Sequence, residues 1–378
     1  MALTLRDLNR ATLARQLLLR RERLGVVDAV HRVVALQAQE APSPYVALWN
    51  RLAPFDPADL DAAFATRAVV KATLMRITLH AVEGSEYPMV HDAMLPTLRA
   101  ARLFDRRFTS TGLSVADLDA LAPEVVAFAS EPRRNAEVEA MLAERLGAAP
   151  DPGVWWALRA FAPLVHAPTG GPWSFGPRPA YVAAPPKPPP ADPSEALQRL
   201  IRRYLEGFGP ASAEDFAQFA LHKRTTVRQA LAAISPTLTT LEGPGGRQLF
   251  DVAGAPLPGG DTPAPPRLMA MWDSVLLAYA DRSRVIPDAY RPLVIRRNGD
   301  VLPTLLVDGH VAGVWRPVGG AIEARAFHPL PDEAWDGLAR EARDLAAFLA
   351  RRGPAIYGGR YGRWWPTLPP GEGRVLRA

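Results

Sequence analysis

The sequence predicts an α+β protein, mainly α, on three observations. Apolar residues recur at helical spacing through most of the chain, in segments closed by Gly or Pro. Short pairs of β-rich segments with tight-turn signals follow groups of helices. That order, helices and then a hairpin, recurs three times before the chain changes character near residue 267. It is the order of a winged helix-turn-helix. The chain therefore reads as three such units in tandem, 1–130, 131–190 and 191–266, followed by a C-terminal α/β region with hairpins, 267–378.

In the first unit, residues 3–24 read as a helix with Leu13, Leu17 and Leu24 on one face. Arg20 and Arg21 lie in a charged run that is either a solvated face or a phosphate contact. Gly25 stops this helix, and Asp28 caps the next, over 29–37. Pro42 and Pro44 end it, because the residue before a proline is pushed out of helical geometry. Short helices follow over 45–52 and 56–66. The stretch 69–82 alternates and is rich in β-formers, so it reads as strands. Residues 86–130 are mostly helical, with a basic edge of His91, Arg99, Arg102, Arg106 and Arg107.

The second unit has helices over 136–146 and 152–165, the latter carrying Trp155, Trp156 and Arg159. Thr169-Gly170-Gly171-Pro172-Trp173 is a hairpin turn leading to a returning strand within 174–182. The proline-rich run 184–193 reads as an extended spacer. In the third unit a helix covers 194–206, and Ser212 opens another over 213–221. Residues 226–234 take the recognition-helix position beside Lys223, Arg224 and Arg228. A wing spans 238–252. In the last region, strand-like segments at 293–297, 302–307 and 311–316 are joined by tight turns at Asn298-Gly299 and Asp308-Gly309. A final arginine-rich helix covers 333–352.

The 378 residues include no cysteine, which excludes disulfides, thiolate metal sites and a cysteine nucleophile. No run of about 18 apolar residues suits a membrane span, and the N-terminus lacks a signal-type apolar core. A cytoplasmic, nucleoid-associated protein is expected. The formal net charge is +5. Lys71, Lys187 and Lys223 are the only lysines, so the basic residues are almost all arginine. The planar guanidinium fork binds phosphate in two-pronged fashion. GC-rich coding produces the same composition, so charge alone leaves DNA binding open. His, Asp, Glu and Ser are too scattered for a metal site or a triad, and no cofactor is expected.

One short pattern stands out: Gln37-Ala38-Gln39-Glu40 just before the proline turn. Residues i and i+2 do not share a helix face. The two amides converge only where the helix ends. Read alone, two solvated glutamines account for the pattern.

The chain resembles the AlkZ-like family of bacterial winged-helix proteins. The resemblance is carried by LNRATLARQLLLRR, LQAQEAPSPYVALWNRL, LMRITLH, GGPWSFG and RRYLEGFGPAS, and later by MWDSVLLAYADRSRVIP and VDGHVAGVWR. It implies three tandem winged helices in a C-shape around a basic channel. It also implies monofunctional DNA N-glycosylase activity on bulky N-alkylated purines, with unhooking of interstrand crosslinks or self-resistance to a DNA-alkylating natural product in some relatives. The family signature Gln-x-Gln falls on Gln37 and Gln39, which become the expected catalytic pair. Arg76, Thr78 and His80 of the RITLH strand are expected to line the site, although Ile77 stands where the family more often has a small residue. Glu40 is either a hidden base or a solvated acid, and His80 a structural or a catalytic histidine. Arg282, Arg284, Arg296 and Arg297 flank the hairpins that the resemblance would place against DNA; a solvated loop is the other reading.

Neutral amides suit a cationic base. An N7- or N3-alkylated purine leaves as a neutral molecule, so the acid of the usual carboxylate pair is dispensable. What remains is to place a water and to face the positive charge growing on the sugar. The expected partner is double-stranded DNA with alkylated or crosslinked purines, acted on by a monomer without a protein partner. The alternative reading is a non-catalytic winged-helix DNA-binding protein, such as a transcriptional regulator.

Overall fold

A computed structural model describes residues 2–147, 149–185 and 193–377, with the backbone alone at 193 and 359–361. Most of the expected proline spacer, 186–192, lies outside the described residues.

α1 (Leu5–Arg15) starts under a capping box in which Thr4 and Asp7 satisfy each other's backbone N–H. It is shorter than expected, and two of its arginines are buried. Arg15 forks onto Asp251 at 2.6 and 2.7 Å. α2 (Val26–Arg32) also stops early. The expected helix over 29–37 fails because Val33 and Val34 are β-branched and stiff, and Val34 takes a positive φ of 73°. The chain then enters β1 (Leu36–Gln37), which pairs antiparallel with β3: Leu36 opposite Ala81, Gln37 opposite His80. The Gln-x-Gln stretch is therefore a strand running into a bend, not a helix end.

α3 (Ser43–Trp49) and α4 (Pro57–Ala65) follow, the latter capped by Asp56. The β-rich stretch splits into β2 (Val69–Thr73) and β3 (Leu79–Glu83), joined by a tight turn at 75–77. Next come α5 (Tyr87–Leu103), α6 (Arg106–Thr109) and α7 (Val115–Phe128). After β4 (Arg133–Arg134), α8 (Asn135–Leu146) and α9 (Pro152–Phe161), the chain forms β5 (Leu164–Ala167) and β6 (Ala180–Ala183). The helix expected to Val165 ends at Phe161 because Pro163 cannot continue it.

β1 to β6 make one antiparallel sheet in the order β1-β3-β2-β5-β6-β4. The strands read from sequence as the wings of the first two units thus share a sheet, joined where Lys71 on β2 pairs with His166 on β5. The sheet separates two apolar clusters: Val69 and Ala81 enter one, Val70, Ala72 and Val82 the other.

α10 (Pro193–Phe208), α11 (Ala213–Ala220) and α12 (Arg224–Ile234) precede a hairpin of β7 (Leu238–Glu242) and β8 (Gln248–Val252). Gly245 and Gly246 supply the positive φ its turn needs. The C-terminal region holds a second sheet, β13-β12-β11-β10-β9. Its strands are β9 (Arg267–Leu268), β10 (Thr304–Val307), β11 (His310–Val318), β12 (Ala321–Ala326) and β13 (Gly373–Leu376). The turn at Asp308-Gly309 forms as expected. The strand expected at 293–297 does not. Pro292 sits at the start of α13 (Arg291–Val294), and only Ile295 bridges to Val301 across the Asn298-Gly299 turn. α14 (Asp332–Arg352) and α15 (Gly358–Trp364) complete the element order. No described helix is long and apolar enough to cross a membrane.

The N-terminal helices pack onto this C-terminal sheet in one core. A buried fork ties them: Arg51 donates to both carboxylate oxygens of Asp273 at 2.8 and 2.9 Å.

Candidate active site

β1 delivers Gln37 to the interior, where it is 3% exposed. Its side-chain carbonyl accepts the backbone N–H of Gln39 at 2.9 Å, and its amide donates to the Thr78 hydroxyl at 3.0 Å. The Ala38 N–H donates to the Leu79 carbonyl at 2.8 Å. These bonds fix the bend that turns Gln39 outward. Gln39 is exposed. Its carbonyl oxygen has one long contact, from the Leu79 N–H at 3.4 Å, and its amide nitrogen has no partner among the described residues. The two amides are therefore unequal: one is buried and holds the backbone, the other is presented.

Gln39 stands at the edge of a pocket of about 370 Å³ that also takes in Thr78, Lys71, His166, Arg159 and Arg102. Among the described residues its lining contains no Asp or Glu. Strand pairing builds one wall. Lys71 lies directly opposite His166, and His166 opposite Tyr181, so three side chains form a row across three strands. Lys71 is 6% exposed, and its ammonium sits 4.4 Å from the centre of the Phe175 ring. Burial pulls its pKa down to about 8, with nearby Glu40 favouring the charged form. Burial, with Lys71 and Arg159 close by, holds His166 neutral, its pKa lowered to about 3. Burial raises the pKa of the Tyr181 hydroxyl, and the neighbouring Arg159 guanidinium opposes the shift. Trp156 lies between two guanidiniums, Arg102 at 4.1 Å and Arg107 at 3.9 Å. Its neighbour Trp155 is buried in the core, as two adjacent tryptophans on a helix require.

The tight turn beside Gln39 is strained. Arg76 and Ile77 both have positive φ, 53° and 59°; for a β-branched residue this is a rare conformation that surrounding structure must hold. The Arg76 guanidinium donates to the Phe219 carbonyl at 3.1 Å and lies near the His80 ring nitrogen, also at 3.1 Å. Burial and Arg76 lower the His80 pKa to about 3. His80 faces away from the pocket, on the sheet face opposite Lys71. Of the expected lining residues, Thr78 and Gln39 meet at the pocket. Gln37 stands behind them, Arg76 and His80 lie to one side, and half-buried Glu40 approaches Lys71.

The expected DNA-contacting arginines divide. Arg20, Lys223, Arg224, Arg228 and Arg297 are exposed, with Arg20 paired to Glu22 and Arg228 to Glu214. Arg282 is half-buried. Arg21 is engaged internally, forking onto Glu341 at 2.9 and 2.6 Å. Arg284 is 4% exposed and donates to the Pro210 carbonyl. Arg296 donates to Thr367. These three hold the fold together. Elsewhere, His31, Glu83 and Glu86 bring possible ligand atoms within 4.8 Å of one another. Arg203 already occupies Glu86 at 2.9 Å, and His31 bonds Glu83 at 2.5 Å, so these side chains are engaged with one another and with Arg203.

Lys71, Arg159 and His166 were absent from the sequence-based candidates. Lys71 had a signal: it is a lysine set among apolar β-formers in a chain with three lysines. His166 had none, because only strand register places it beside Lys71.

A mixed α/β fold with an amide-edged, cation-rich pocket defines a class of protein that handles a polyanion. Residues 30–348 match the family described as DNA glycosylase AlkZ-like, and the chain belongs to this family of DNA glycosylases. It is similar to a protein of Streptomyces sahachiroi named interstrand DNA cross-link repair glycosylase, at 25% identity over 335 residues, covering 84% of this chain and 88% of the relative. Its fold is that of the solved Streptomyces sahachiroi DNA glycosylase AlkZ, with a TM-score of 0.75 at 23% identity, covering 90% of this chain and 95% of that one.

Proposed function

We propose that the protein hydrolyses the N-glycosidic bond of cationic N7- or N3-alkylated purines in double-stranded DNA. Crosslinked purines fall within the same chemistry, and the name of the Streptomyces relative supports unhooking of such crosslinks; protection of a producer of a DNA-alkylating compound is the corresponding role. The observation that carries the reading is the pairing of a buried, backbone-holding Gln37 with a presented Gln39 at the edge of a pocket whose described lining holds no carboxylate.

In this reading the Gln39 carbonyl accepts a hydrogen bond from the attacking water, and its dipole faces the sugar as positive charge develops. The base departs neutral and needs no proton; the water that adds to the sugar carbon releases its proton to solvent. Gln37 is the positioning residue: its amide fixes the bend and the Thr78 hydroxyl. Lys223, Arg224 and Arg228 at the start of α12, with Arg20, Arg297 and the half-buried Arg282, supply backbone contacts. The tandem winged-helix organisation is part of the proposal. It is supported by the order of α10, α11, α12 and the β7–β8 hairpin, each segment being the expected part of such a unit. The enzyme acts as a monomer, without a cofactor, where the chromosome is.

The test is incubation with duplexes containing 7-methylguanine, an interstrand crosslink or uracil, followed by measurement of free base. Release of 7-methylguanine with retention of uracil supports the reading. Binding without release from any cationic adduct makes the protein a regulator instead, and efficient uracil release refutes the activated-substrate mechanism.

A further inference from the structure

The pocket beside Gln39 holds more positive charge than its protein partners neutralise. Lys71, Arg102 and Arg159 all line it. Lys71 is 6% exposed, and among the described residues its ammonium has no hydrogen-bond or ion-pair partner. Its contacts are a ring, Phe175, and the field of Glu40. The buried Nε of Arg102 also has no partner. Among the described residues Arg159 has no carboxylate partner and lies beside the neutral hydroxyl of Tyr181. Asp105, whose field reaches Arg102, is taken by Arg107 in a two-pronged bond at 3.0 Å through each prong. The Lys71 side chain is buried along its length while its ammonium lines the pocket, so its N–H groups are placed to donate to an anion there.

Given the glycosylase reading, on which this rests, we infer that the pocket seats a phosphodiester of the duplex beside the target nucleotide, with Lys71, Arg102 and Arg159 donating to its oxygens. Arginine forks and a lysine point charge are the recognised donors to phosphate. The same charge repels a cationic alkylpurine. The damaged base therefore stays outside this pocket, and Gln39 at its edge meets the sugar that joins base and phosphate. Anchoring the phosphate behind the sugar holds the reacting carbon without extruding a bulky or crosslinked base.

The experiment uses the full chain and a duplex bearing one 2′-fluoro-7-methyldeoxyguanosine, which resists cleavage, so that affinity is read without turnover. Neutral methylphosphonates replace the flanking phosphates one at a time. The inference expects one position whose substitution weakens the wild type about tenfold and lowers the salt slope by about one. Lys71→Met and Arg159→Gln bind the unsubstituted duplex about tenfold more weakly and are insensitive at that same position. The second variant guards against misfolding of the first. Equal sensitivity of wild type and variants at every position overturns the inference, as does the absence of any sensitive position. Inorganic phosphate is the second probe. If it raises the Tm of the wild type but not of Lys71→Met while no duplex position responds, the pocket takes free phosphate and the DNA assignment is wrong. Base release from the ordinary 2′-deoxy duplex is measured in parallel. Release without a coupled phosphate overturns this inference alone; a coupled phosphate without release refutes the glycosylase reading and leaves the pocket assigned.

Discussion

The side-chain carbonyl of Gln37 accepts the backbone N–H of Gln39 at 2.9 Å. One glutamine of the pair thus fixes the other. The division predicts different costs for the two truncations. Gln37→Ala leaves the Gln39 N–H without its acceptor and the half-buried Thr78 hydroxyl without its donor, and is expected to lose about 1–3 kcal/mol of stability as well as activity. Gln39→Ala changes an exposed side chain and keeps stability within about 0.5 kcal/mol. Urea midpoints of the two variants, read beside their base-release rates, separate the positioning role from the presented one.

Lys71 carries a stability cost. Its pKa falls from 10.5 to about 8 in the fold. Below pH 8 both states are protonated and the burial penalty is fully present. Between pH 8 and 10.5 the folded lysine is neutral while the unfolded one keeps its proton, so the wild type gains stability as pH rises. Lys71→Met is therefore more stable than the wild type at pH 7, by up to about 3 kcal/mol for a shift of this size. Urea unfolding at pH 7 and pH 9.5 should show the gap narrowing. Increased stability combined with weakened DNA binding is the signature of a residue kept for function.

His80 and His166 act in the opposite pH range. Both are held neutral, with pKa lowered from 6.5 to about 3. As pH falls through 6.5, the unfolded chain takes up a proton on each that the folded chain refuses. Stability therefore drops between about pH 6.5 and 3, by up to about 1.4 kcal/mol per pH unit for each histidine. His166→Gln is expected to flatten this acid slope, measured as the urea midpoint from pH 7 to 4.5. His80→Asn leaves 7-methylguanine release near the wild-type rate, since His80 faces away from the pocket.

The fork between Arg51 and Asp273 joins the turn after α3 to the C-terminal region, with side chains 0% and 1% exposed. Arg51→Met strands a buried carboxylate and should cost about 3–5 kcal/mol in chemical denaturation. The double change Arg51→Met with Asp273→Leu should recover most of that loss, because both charges are then gone.

The helices over 56–66, 213–221 and 333–352 were legible in the sequence because caps, prolines and glycines mark their ends. The Asp308-Gly309 hairpin was legible because its turn needs two positive φ angles. Gln37 and Gln39 were legible only as a pattern. The geometry that distinguishes them depends on β1 pairing with β3 about 43 residues on, and no local signal reports long-range register. The strand between Ala35 and Ala38 is short and follows a true helix, so local periodicity extends the helix through it. The arginines mislead for a related reason. Arg21 and Arg284 look like surface charge in sequence, but Arg21 forks onto Glu341 and Arg284 is buried against the Pro210 carbonyl, whereas Arg102 and Arg159, on helix faces far apart in the chain, converge on one pocket.

The central claim is that a presented amide, and not a carboxylate, serves the departing cationic base. The direct measurement is single-turnover release of 7-methylguanine from a duplex by Gln39→Ala and Glu40→Gln under saturating enzyme. The expected result is a loss of about 10²-fold or more for Gln39→Ala, in the range seen when one preorganised polar group is removed from an active site, with Glu40→Gln within a few-fold of wild type. Near-wild-type release by Gln39→Ala, with release abolished in Glu40→Gln, would contradict the account and make Glu40 the base.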